Sequence, residues 1–136
     1  MSVVFRSACL LCLLAAFGCS RRPIEGVYVF RSSEVEETLN LRPGGEFSQR
    51  VNMGSDTYSA TGRWSLASRD LKLRGRFFVR FDTSTGKLMK PPQEYSLYSG
   101  YWDAHDSRIS FSAEYDAQYF VKRAPQPPAQ PNGLSQ

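Results

Sequence analysis

The sequence predicts an all-β domain: an antiparallel meander of roughly six to eight strands, closed or nearly closed into a small barrel. Three observations carry this. Apolar residues alternate with polar ones through most of the chain, which is the period of a half-buried strand. Turn residues interrupt the alternation at roughly ten-residue intervals, as in hairpin-linked sheets. No stretch after the first twenty residues keeps a helical period. Closure is expected because it removes edge strands that would otherwise pair with other chains.

Gly26 to Phe30 reads as a first strand, apolar on both faces. In Glu37–Leu41, Leu39 and Leu41 share a side. Arg42-Pro43-Gly44-Gly45 is a turn, with proline presetting φ and glycines free to take positive φ. Glu46 to Met53 returns with Phe47, Val51 and Met53 on one parity, completing a hairpin. Gly54-Ser55-Asp56 turns again. Thr57 to Leu66 alternates most clearly: Tyr58, Ala60, Gly62, Trp64 and Leu66 face one way, and Thr57, Ser59, Thr61, Arg63 and Ser65 the other. Tyr58 and Trp64 are thereby expected in the core.

Ser68-Arg69-Asp70 is the next turn. In Leu71–Phe81 the period puts Leu71, Leu73, Phe77, Val79 and Phe81 inside. Lys72, Arg74, Arg76 and Arg80 then fall outside, with Phe78 among them. Glycines within strands, Gly62 and Gly75, suit the sharp curvature of a small barrel. Asp82 to Gly86 is a turn. Tyr95 to Trp102 is rich in tyrosine and fits strand or loop. Arg108–Ser112 and Gln118–Arg123 are the last two strands.

The chain has 136 residues, 17 basic and 13 acidic, for a formal net charge of +4; 41% is hydrophobic and 22% charged. That is one domain, neither a polar disordered chain nor a multi-span membrane protein. The charge is too modest for a nucleic-acid tail. The cysteines are Cys9, Cys12 and Cys19, so the body can hold no internal disulfide and no cysteine metal cage. His105 is the single histidine, which excludes a multi-histidine site.

The first segment reads as an address. Arg6 closes a short charged region, and Ser7 to Phe17 is an apolar run about half the roughly 20 residues a spanning helix needs. It ends in Ala16-Phe17-Gly18-Cys19, then Ser20-Arg21-Arg22-Pro23. This resembles a bacterial lipoprotein signal peptide, with Gly18 and Cys19 at the last two motif positions. Ala16 and Phe17 depart from the commoner residues there. The resemblance implies diacylglycerol on the Cys19 sulfur and cleavage before it. Ser20, where aspartate would favour inner-membrane retention, implies sorting to the outer membrane. The expected organisation is a signal peptide at 1–18, a lipidated linker at 19–23, a barrel at 24–123 and a disordered Pro-rich tail at 124–136.

Gly26-Val27-Tyr28, Glu37 to Phe47, Gly62-Arg63-Trp64, Leu71-Lys72-Leu73 and Tyr119 to Arg123 occur in an order similar to small lipocalin-like barrels of bacterial lipoproteins. The amino-terminal domain of NlpE-type envelope sensors and the META-type domains are examples. The NlpE-type domain carries a Cys-x-x-Cys near its first hairpin, and this sequence has none there. The resemblance therefore implies a lipocalin-like fold and a lipid-anchored setting, without copper or thiol chemistry.

Candidate sites are few. Asp103-Ala104-His105-Asp106 offers carboxylates and an imidazole, but no second histidine or cysteine completes a metal site; it reads as a polar turn. One histidine and no Gly-x-Ser-x-Gly argue against hydrolytic catalysis. Glu34, Glu36 and Glu37 form a solvated charge run. No catalytic residue, metal or cofactor is expected.

Lys72, Arg74, Arg76 and Arg80 form a basic stripe. It is either an outer face balanced by Glu34, Glu36 or Glu37, or a contact surface for an anionic polymer, lipid or acidic protein. Tyr95, Tyr98, Tyr101 and Trp102 form either a late strand with core side chains or a binding lip. The expected function is an outer-membrane lipoprotein with its domain in the periplasm. It is held to the membrane through Cys19 and binds another envelope protein as sensor, assembly accessory or inhibitor. Nucleic acid is not an expected partner. The alternative is a carrier of a small apolar or amphipathic ligand inside the barrel.

Overall fold

The computed structural model describes residues 23–82, 84–111 and 119–125. The signal segment 1–18, Cys19, the linker before Pro23 and the tail beyond Pro125 lie outside the described residues. Eight antiparallel strands close into one barrel in sequence order. They are β1 (Gly26–Arg31), β2 (Val35–Arg42), β3 (Glu46–Met53), β4 (Asp56–Ala67), β5 (Asp70–Phe81), β6 (Leu88–Asp103), β7 (Arg108–Ser110) and β8 (Tyr119–Lys122). Pairing of β8 with β1 at Tyr28↔Lys122 and Val29↔Val121 completes the ring.

The first hairpins follow the alternation. Glu36 and Asn40 point outward from β2 while Val35, Leu39 and Leu41 are buried, and Phe47, Val51 and Met53 are buried from β3. The Pro43-Gly44-Gly45 turn places both glycines at positive φ. Trp64 packs against the main core and its Nε1 donates to Arg42 O at 2.9 Å, while Tyr58 packs against a second cluster.

The interior is filled by side chains. Tyr28, Leu39, Leu41, Leu71, Leu73, Ile109 and Phe120 are almost wholly buried. Rings pack on rings: Phe77 stacks on Tyr98 with centroids 5.2 Å apart, and Phe111 meets Phe120 edge-on at 5.5 Å. A second cluster, Val35, Val51, Met53, Ala60 and Phe78, lies at the end near the β3–β4 turn.

The alternation fails in β5. Arg74 pairs with Leu97 and Phe77 with Tyr95, so Gly75 and Arg76 oppose Ser96 alone, a β-bulge. β4 and β5 pair from Gly62–Gly75 to Ala67–Asp70, and residues 56–61 of β4 pair with β3 only. Beyond the bulge, β5 is buried on both faces from Phe77 to Arg80. Phe77 and Val79 join the main core and Phe78 the second cluster. Past the bulge β5 no longer lies against β4, and its polar-parity face packs inside as well as its apolar one. The expected outward placement of Arg80 and Phe78 is therefore corrected: both are buried.

β6 is longer than the tyrosine-rich stretch suggested. It begins at Leu88 and carries Pro91 and Pro92. Between Val79↔Gln93 and Phe81↔Leu88 the ladder is irregular, with Arg80 opposite residues 89–92. Proline has no N–H to give a ladder, so the strand bows there.

Candidate functional site

The outer face of β4, β5 and β6 is ordered by its register. Arg63 stands beside Arg74 and Arg74 beside Leu97; Ser65 stands beside Lys72 and Lys72 beside Ser99; Asp70 stands beside Tyr101. Glu46 of β3 flanks Arg63 on the other side. This face brings Lys72, Arg74 and Tyr101 together, all exposed. It adds two residues that sequence reasoning left out, Arg63 and Leu97. Arg63 was visible on the polar parity of its strand. Leu97 was not, because its place beside Arg74 is set by the pairing of β6 with β5 and not by local alternation.

Leu97 is 52% exposed and Tyr101 43%. Arg69 donates to the Tyr101 hydroxyl, a bond that raises the Arg69 pKa and holds the phenol over the turn. Arg63 donates to Gly44 O at 3.0 Å and lies 3.9 Å from the Glu46 carboxylate. No carboxylate among the described residues pairs with Lys72 or Arg74.

The other members of the expected stripe are accounted for differently. Arg76 is exposed but paired with Glu94 at 2.9 Å, a contact that raises its pKa, and it lies over the Phe78 ring. Arg80 is 6% exposed and forms an ion pair with Glu37, which is fully buried. Glu37 is thus the acidic partner of Arg80 inside the barrel, while Glu34 pairs with Lys90 and Glu36 with Arg31 at the surface.

That interior cluster is built from three strands. Gln49 Nε2 donates to Glu37 Oε1 at 2.6 Å and to Phe78 O at 2.8 Å, and Gln49 Oε1 accepts from Phe78 N at 2.7 Å. The glutamine side chain thus replaces the strand partner that Phe78 loses when β5 leaves β4. The Arg80 guanidinium lies 3.8 Å from the Phe30 ring centroid and 5.0 Å from that of Phe120. Burial draws its pKa down to about 9, which leaves it cationic at neutral pH.

The aromatic segment divides. Trp102 is buried and Tyr98 packs against the main core, where burial raises its pKa. Tyr95 and Tyr101 remain at the surface. A separate exposed row on β8, Tyr119 and Val121, lies beside β1, and Arg108 stands over the Tyr119 ring at 4.9 Å. In the 103–106 turn, Asp103 Oδ1 accepts the backbone N–H of His105 and of Asp106, and these bonds lower the Asp103 pKa. Among the described residues, no group of three or more metal-ligating side chains gathers.

No protein-family model matches the chain, and no curated protein or solved structure is significantly similar to it.

Proposed function

We propose that the chain is a bacterial outer-membrane lipoprotein, anchored through lipid on Cys19, whose barrel is a non-catalytic binding module for another envelope protein. The reading includes a distant relation to the NlpE-type and META-type barrels. The observation that supports it most is the outer face of β4–β6. There, cations without acidic partners adjoin exposed Leu97 and Tyr101. Arginine, tyrosine and apolar side chains together are typical of protein-contact surfaces. The filled interior favours a surface role over carriage of a ligand, since Tyr28, Leu39, Leu73, Ile109 and Phe120 already occupy it.

Two experiments test the reading. Metabolic labelling with a radioactive fatty acid should mark the wild-type chain and spare Cys19→Ser; a labelled Cys19→Ser protein removes the anchor. Chemical cross-linking of the full-length protein in intact cells, followed by purification, should yield a discrete heteromeric adduct. Recovery of the free chain alone rejects the binding role.

A further inference from the structure

We propose that the outer face of β4–β6 docks an acidic surface of its partner protein, with Leu97 seated against an apolar side chain of that partner. This rests on the binding-module reading above.

Charge is the first argument. Arg63 and Arg74 are direct cross-strand neighbours, and like charges in that position destabilise a sheet. Glu46 reaches only the edge of Arg63, and among the described residues no carboxylate pairs with Arg74 or Lys72. The neighbouring Ser65 and Ser99 are short, so these cationic heads stand clear of the sheet. A partner carboxylate lying between the two guanidiniums would turn the repulsion into a pair of charge-assisted hydrogen bonds. The apolar component is the second argument. Leu97 is the most exposed of the large hydrophobic side chains among the described residues. It lies next to Arg74 rather than alone on a polar wall.

The membrane is the other anionic surface within reach, and adducts to lipid rather than protein are the outcome that would assign the face to it. With lipid on Cys19, the linker to Pro23 spans at most about 14 Å. The barrel end nearest the bilayer is then the one where Lys122 Nζ donates to Pro23 O at 2.6 Å. Lys72 and Arg74 lie on the side wall, about 7–13 Å along β5 from Asp70 and so toward the same end.

The test is a photo-reactive amino acid introduced singly at Leu97, Ser99, Thr38, Arg50 and Tyr119 of the full-length lipoprotein, irradiated in intact cells of its own bacterium. The expected result is a discrete protein adduct from Leu97 and Ser99 whose cross-linked peptide lies among aspartates and glutamates. Lys72→Glu with Arg74→Glu should weaken that adduct about tenfold. Adducts with phospholipid or lipopolysaccharide at Leu97 overturn the proposal. So does a protein adduct that the charge reversal leaves intact, or one mapped to a site without carboxylates. Adducts from Thr38, Arg50 or Tyr119 alone reject this face and leave the binding-module reading standing. No adduct at any position rejects both.

Discussion

Gly62 and Gly75 face each other at the last pair that β4 and β5 share. A Cβ on Gly75 would lie 2.8 Å from Gly62 Cα and 2.9 Å from Thr61 O, and Gly75 has φ +124°. A Cβ on Gly62 would lie 2.7 Å from Phe47 Cε1 and would also meet Arg74 O. Two backbones touch here with no room for a side chain. That contact is where β5 parts from β4.

Gly75→Ala is therefore expected to destabilise the barrel by about 1–3 kcal/mol from backbone strain alone. Gly44→Ala also meets a positive φ, but nothing lies within 4 Å of its Cβ. It should cost less. Urea midpoints at an unchanged slope check the ranking, and equal midpoints for the two variants contradict it.

The Glu37–Arg80 pair is an interior ion pair joining residues 43 apart in sequence. Removing one partner leaves a buried charge without its counterion, which typically costs about 3–5 kcal/mol. Arg80→Met and Glu37→Leu should each fall in that range. The double variant should be markedly more stable than their sum, because neither charge remains. A thermodynamic cycle measures the coupling; additive losses would show that the two side chains act independently.

Arg74→Glu has the opposite sign. It converts the Arg63–Arg74 neighbours into an attractive cross-strand pair, worth about 0.2–1 kcal/mol in favour of folding. The same substitution is expected to weaken partner binding. A surface residue whose replacement stabilises the fold while impairing binding is one retained for contact. A lower urea midpoint for Arg74→Glu contradicts the electrostatic account of this face.

Acid should unfold the protein partly through two turns. Asp82 is held below the ordinary value of 3.8 by the Ser84 hydroxyl, then by the backbone N–H groups of Ser84 and Thr85. Asp103 is held below it by the N–H groups of Asp106 and His105. As pH falls through 3.8, the unfolded chain takes up these protons before the folded one, so stability is lost from there downward. Both carboxylates contribute fully above that window. Asp82→Asn and Asp103→Asn should flatten the stability–pH slope below about pH 4, measured by denaturant midpoints.

Much of this architecture was legible in the chain. The period of two placed Leu39, Leu41, Phe47, Val51, Ala60, Leu71 and Leu73 inside, and the turns at 43–45 and 54–55 fell where proline and glycine stood. Local alternation determines which face a residue takes as long as the ladder keeps step.

What only the tertiary structure decided begins at Gly75. Beyond its pair with Gly62, β5 leaves β4 and is buried on both faces, which puts Arg80 of the expected basic stripe in the interior beside Glu37. The prolines at 91 and 92 marked an interrupted ladder, but not which side of it Arg80 would take. The candidate face was half visible for the same reason. Lys72 and Arg74 lie before the bulge and stayed outward, whereas the placement of Arg63 and Leu97 beside Arg74 depends on cross-strand register. Register is set by packing between distant strands, and a chain read one residue at a time carries the alternation without the alignment.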